Sequence, residues 1–142
     1  MRSASLLKDQ FIKNGVDVSC PVDQSAIDAF ERNASVQLSR FIKDLHLEFD
    51  GFHLSDSDNM LCLWPLKRIE EEKTLAINFD GHVFNAIGDF WIDADFLMTS
   101  LTMPDAPVVL HSERRVLAPD LEKFLYSLAA GKLNIFGTIP HG

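Results

Sequence analysis

Acidic residues supply most of this chain's capacity for chemistry, and two short stretches arrange them as metal sites do. Asp56-Ser57-Asp58-Asn59 has the look of an opening calcium loop. Such a loop needs Gly at its sixth position and a bidentate Glu at its twelfth. Counting from Asp56, those positions hold Leu61 and Lys67, so the stretch reads as a solvated turn. Asp93-Ala94-Asp95 would point two carboxylates to one face of a strand, a geometry that suits a metal. No His or Glu adjoins them, and alternating acids on a strand ordinarily mark its wet face.

The remaining reactive residues lack the spacing that chemistry needs. His46, His53, His82, His111 and His141 form no His-x-x-x-His pair, and no Cys-x-x-Cys occurs. His82 reads as a hairpin-turn residue and His46 as an exposed helix residue. There is no Gly-x-Ser-x-Gly elbow. Cys20 precedes Pro21 in a loop, and Cys62 falls in an apolar strand, where thiols are usually inert. Asn85-Ala86-Ile87-Gly88-Asp89 holds one Gly, too few for a phosphate cradle. A metal-dependent enzyme or small-ligand binder using Asp93, Asp95 and a histidine brought in by the fold therefore ranks last. No catalytic residue, metal or cofactor is assigned.

Charge points elsewhere. With 13 Lys and Arg against 21 Asp and Glu, the formal net charge is -8. That balance opposes phosphate backbones and anionic membrane surfaces, and it attracts a basic protein partner. The acids also cluster. Glu48, Asp50, Asp56 and Asp58 fall in a stretch without Lys or Arg, and Glu70-Glu71-Glu72 make a second group. These seven are the candidate partner-binding residues. Trp64 and Trp91 are candidate aromatic anchors, although core aromatics are the simpler reading. Two widely spaced cysteines suggest reduced thiols, and the N-terminus lacks a signal peptide's apolar stretch, so a cytoplasmic location is expected.

The elements that would position these residues run helices, strands, then one helix. A short helix is expected over residues 3–13, and a second capped by Asp23 carries Ala26, Ile27 and Phe30. Leu38, Phe41, Ile42, Leu45 and Phe49 give the strongest helical period, which Asp50-Gly51 ends. From Phe52 onward the period is that of strands. Asp80-Gly81-His82 separates two arms of a hairpin, Phe90 to Phe96 alternates as one strand, and a second hairpin turns at Ser112-Glu113. Pro119 suits the first turn of a closing helix with Leu121, Phe124, Leu125 and Leu128 inward and Gly131 at its end. The expected fold is α+β in one domain over residues 1–142, a largely antiparallel sheet flanked by N-terminal helices and one C-terminal helix.

Several short patterns occur in order: Ile27-Asp28-Ala29-Phe30-Glu31, Val36-Gln37-Leu38-Ser39, Asp50-Gly51, Leu63-Trp64-Pro65-Leu66, Ala86-Ile87-Gly88-Asp89, Ala94-Asp95-Phe96 and the run from Val116 to Leu125. Together they resemble the SUKH superfamily, which includes yeast cell-wall-synthesis regulators and bacterial toxin-immunity proteins. The resemblance spans about residues 23–130. It departs at Ser39, where members commonly carry Pro. It implies a non-enzymatic protein-binding role and no catalytic or metal residue. Within it, Glu31 should face outward, Trp64-Pro65 should end a strand, and Gly88 should permit a bulge. The leading expectation is an immunity-type protein whose acidic face covers a toxin's basic surface. A housekeeping scaffold or regulator is the alternative, and oligomeric state is left open.

Overall fold

A computed structural model describes residues 2–54, 60–90 and 94–131, with the side chains of Arg2 and Ser3 excepted. The described elements are α1 (Arg2–Lys13), β1 (Asp17–Val18), α2 (Gln24–Ala34), α3 (Arg40–Glu48), β2 (Phe52–His53), β3 (Cys62–Leu63), α4 (Leu66–Glu71), β4 (Ile77–Phe79), β5 (His82–Phe90), β6 (Asp95–Thr99), β7 (Val108–Leu110), β8 (Val116–Ala118) and α5 (Leu121–Ala129). A single 3₁₀ turn, Lys73–Leu75, joins α4 to β4. The fold is α+β. Its eight-stranded sheet is antiparallel and open, in the order β1-β2-β3-β5-β6-β7-β8, with β4 paired to β5.

Local chemistry explains most of the element ends. The Asp23 carboxylate caps α2 by accepting from the Ala26 amide at 3.0 Å. Its pKa lies below the usual 3.8, first because the Ser25 hydroxyl donates to it and then because Ala26 does. Ser35 closes the same helix in the left-handed region. Asp120 caps α5 through the Lys123 amide at 2.7 Å, so Pro119 precedes the cap instead of lying in the first turn. Asp80 and Gly81 both take positive φ, 53° and 80°, which makes the tight hairpin between β4 and β5.

Opposed residues share a face of a sheet, and the register therefore sorts the side chains. Phe52, Leu63, Gly88, Leu97 and Leu110 stand opposite one another across five strands. Phe52 meets Phe11 of α1 at 4.8 Å between ring centroids, so α1 covers that face. Cys62, Asp89 and Phe96 oppose one another on the other face, where Arg68 of α4 reaches Asp89. Gly88 lies at a register shift in β5, and a Cβ there would come within 2.5 Å of the Cys62 carbonyl oxygen. The expected bulge and close approach are both present.

Three further expectations need correction. Leu66–Glu71 is a helix, not part of a run of strands. Phe90 to Phe96 is not one strand: Phe90 ends β5, pairs with Asp95 of β6, and its carbonyl accepts from the Ala94 amide at 3.0 Å. Glu31 does not face outward, because its carboxylate accepts from the Leu38 amide at 2.8 Å. The buried apolar cluster includes Leu7 and Phe11 of α1. Among the described residues no helix is long and apolar enough to cross a membrane.

Candidate functional site

α4 and its two ends hold most of the residues singled out by charge. The helix starts after Pro65, whose side chain has no oxygen to cap the first amides. Asp50 supplies the missing acceptor from the end of α3. One of its carboxylate oxygens accepts from the Leu66 amide at 3.0 Å and pairs with His46 Nδ1 at 2.7 Å. An ionised carboxylate can only accept, so His46 carries its proton on Nδ1. Gly51 completes the joint. Its φ is 101°, and a Cβ would collide with the Leu63 carbonyl oxygen.

His46 is therefore not an exposed helix residue; it is 2% exposed, and the backbone oxygen of the same residue accepts from the Val22 amide. A histidine oriented by a carboxylate is half of a hydrolytic triad. The other half is missing here, because no described hydroxyl or thiol hydrogen-bonds the ring. The pair ties the end of α3 to the start of α4.

Trp64 is likewise removed from the surface. It is fully buried, so it cannot anchor a partner. The Arg68 guanidinium lies 4.2 Å above its ring, an attractive cation–π arrangement. Arg68 also reaches Asp89 at 3.5 Å and Glu72 at 3.7 Å. Asp89 is 4% exposed, and a carboxylate so placed needs such a cation. Phe96 meets the Trp64 ring edge-on at 6.0 Å, and His111 meets Phe96 at 5.7 Å.

The far end of α4 differs. Glu70 and Glu71 are its last residues, and Glu72 is its C-cap. Glu71 is exposed and Glu70 half-buried. Among the described residues neither makes an ion pair, and nor does Glu48, half-buried in the last turn of α3. The structure thus divides the seven acids. Asp50 is committed to the fold, Glu72 is shared with Arg68, and Glu48, Glu70 and Glu71 keep uncompensated charge. Asp56, Asp58 and Trp91 lie outside the described residues.

Of the pair Asp93 and Asp95, only Asp95 is described. Ala94 is in a turn, and Asp93 is outside the described residues. The Asp95 carboxylate accepts from the amides of Phe96 and Ser112 at 2.8 and 3.1 Å, and from the Ser112 hydroxyl at 2.6 Å. It holds the turn between β7 and β8. Among the described residues no group of three or more His, Cys, Asp or Glu is placed to hold a metal.

Sequence reasoning overlooked His46, Arg68 and Asp89. The spacing of His46 and Asp50, four residues apart near a helix end, was a usable signal. Arg68 and Asp89 gave none, since they meet only across the packing of α4 on β5. No family model matches the chain, and the curated proteins contain no match to it.

Proposed function

We propose that the chain is a non-enzymatic, cytoplasmic protein-binding domain of the SUKH type that neutralises a toxin by covering its basic surface. One observation carries this reading. Glu70 and Glu71 sit at the C-terminal end of α4 without a cationic partner among the described residues. Carboxylates there lie at the negative end of the helix dipole, a placement that does nothing for the helix. With the net charge of -8, they give a basic partner a surface to approach and a reason to approach quickly. The ordered motifs that resemble the SUKH superfamily add the immunity role.

The deciding experiment co-expresses the chain with a toxin domain encoded beside its gene. Protection of the cells and a complex that weakens with salt support the reading. A gene with no toxin neighbour, together with no protection, sinks the immunity role and favours the scaffold or regulator. In either role, reversing Glu70 and Glu71 to Lys should slow association and flatten its salt dependence. Unchanged kinetics would show that another surface binds.

A further inference from the structure

Cys62 stands in a row of polar side chains that the sheet register builds across four strands. Asp17 of β1 is opposite His53 of β2, His53 is opposite Cys62 of β3, and Cys62 is opposite Asp89 of β5. Opposed residues share a face, so all four belong to one side of the sheet. That side is the one on which Arg68 of α4 reaches Asp89. The neighbours of Cys62 in sequence are apolar, the reason a thiol there is expected to be inert; its neighbours across the sheet are not.

His53 and Cys62 form the closer of the two kinds of pair in an antiparallel ladder. The Leu54 amide donates to the Leu61 carbonyl at 2.8 Å, which makes Leu54 and Leu61 the hydrogen-bonded pair. The adjoining pair, His53 and Cys62, is therefore the non-hydrogen-bonded kind, with Cα atoms about 4.5 Å apart. At that separation an imidazole nitrogen can reach the thiol by side-chain rotation alone. His53 is exposed, and Cys62 is half-buried with its sulfur in no disulfide. The surrounding charges favour proton transfer within the pair. Asp17, opposite His53, favours an imidazolium. Asp89, opposite Cys62, opposes a thiolate, but Arg68 stands 3.5 Å from that carboxylate and offsets it. Cys20 has no such arrangement, since it is exposed in the loop after β1, outside the strands.

We propose that Cys62 is a modification site whose thiol, deprotonated by His53, exchanges with a low-molecular-weight disulfide. The neutral imidazole takes the thiol proton, and the thiolate attacks one sulfur of the disulfide. A new S–S bond forms to Cys62 and the old one breaks. The departing thiolate takes the proton from His53. Cys62 is oxidised and the departing sulfur reduced, so the disulfide is the only oxidant required. Half-burial of Cys62 favours a small disulfide over a second protein. The step is stoichiometric and stands apart from the partner-binding reading.

The test exposes the full chain to oxidised glutathione and reads the adduct by mass, with Cys20→Ser and Cys62→Ser leaving one thiol each. At pH 7 the Cys62 thiol should react about tenfold faster than the Cys20 thiol, against the order that exposure alone would set. His53→Gln, on an exposed side chain, should slow Cys62 about tenfold and leave Cys20 unchanged. It should also make the Cys62 rate climb to higher pH before it levels. Peptide mapping of the adduct in the unaltered chain gives the same comparison of thiols if either serine variant fails to fold. Equal or faster reaction at Cys20 would overturn the site. A rate and pH profile indifferent to His53→Gln would overturn the role of the histidine. A disulfide-linked dimer in place of the adduct would overturn the small disulfide.

Discussion

The two ends of α4 treat a carboxylate in opposite ways. At its start, Asp50 meets a helix amide and a buried imidazole, and it is hydrogen-bonded to both. At its end, Glu70 and Glu71 lie in the last turn and hold no cation among the described residues. All three are acids in an acid-rich sequence, and composition treats them alike. What separates them is the direction of the peptide groups around them, because a helix shows donors at one end and acceptors at the other. Asp23 and Asp120, at the starts of α2 and α5, side with Asp50.

That contrast can be broken by mutation. The largest effect is expected for Asp50→Ala. It strands the Leu66 amide and the His46 ring N–H, each at about 1–3 kcal/mol, and should lower stability by about 3 kcal/mol in urea. The corresponding fall in melting temperature is about 10 °C. A loss no larger than that of a surface substitution would contradict the structural role given to Asp50. Asp120→Ala should cost about 1 kcal/mol, read from the shift of the urea midpoint at constant slope. Glu71→Lys should go the other way, stabilising by about 0.3 kcal/mol, since it places a cation where the helix end favours one. Destabilisation comparable to that of Asp50→Ala would show that the terminal glutamates are structural after all.

The smallest effect is a proton equilibrium. Asp23 should titrate below 3.8, with Ser25→Ala moving its midpoint upward. Because the folded pKa is the lower one, the cap's contribution is complete above 3.8 and disappears as pH falls through the folded value. A side-chain NMR titration of Asp23 checks both the position and the response to Ser25→Ala.

Local features were legible in advance where their cause is local. The Asp80-Gly81 turn and the Asp23 cap each depend on a few neighbouring residues. The errors arose where the pattern was too short or too smooth. α4 has six residues, hardly more than one turn and a half, so no apolar period could announce it. The alternation of Phe90, Ile92, Ala94 and Phe96 runs on from one strand towards the next, and the hairpin pairing of Phe90 with Asp95 is invisible in it. The acidic candidates were found as a set, but their division into structural and surplus charge was not.

By itself the sequence determined the α+β class, the antiparallel preference, the Asp23 cap and the hairpin turns. Each follows from backbone sterics or from apolar spacing over fewer than about fifteen residues. Only the tertiary structure decided that Trp64 is buried beneath Arg68, that Asp89 lies against that same arginine, and that Asp50 caps α4 while Glu71 does not. These outcomes depend on which donors the packed chain brings within about 3 Å of each side chain. A linear reading of residue types carries no such distance.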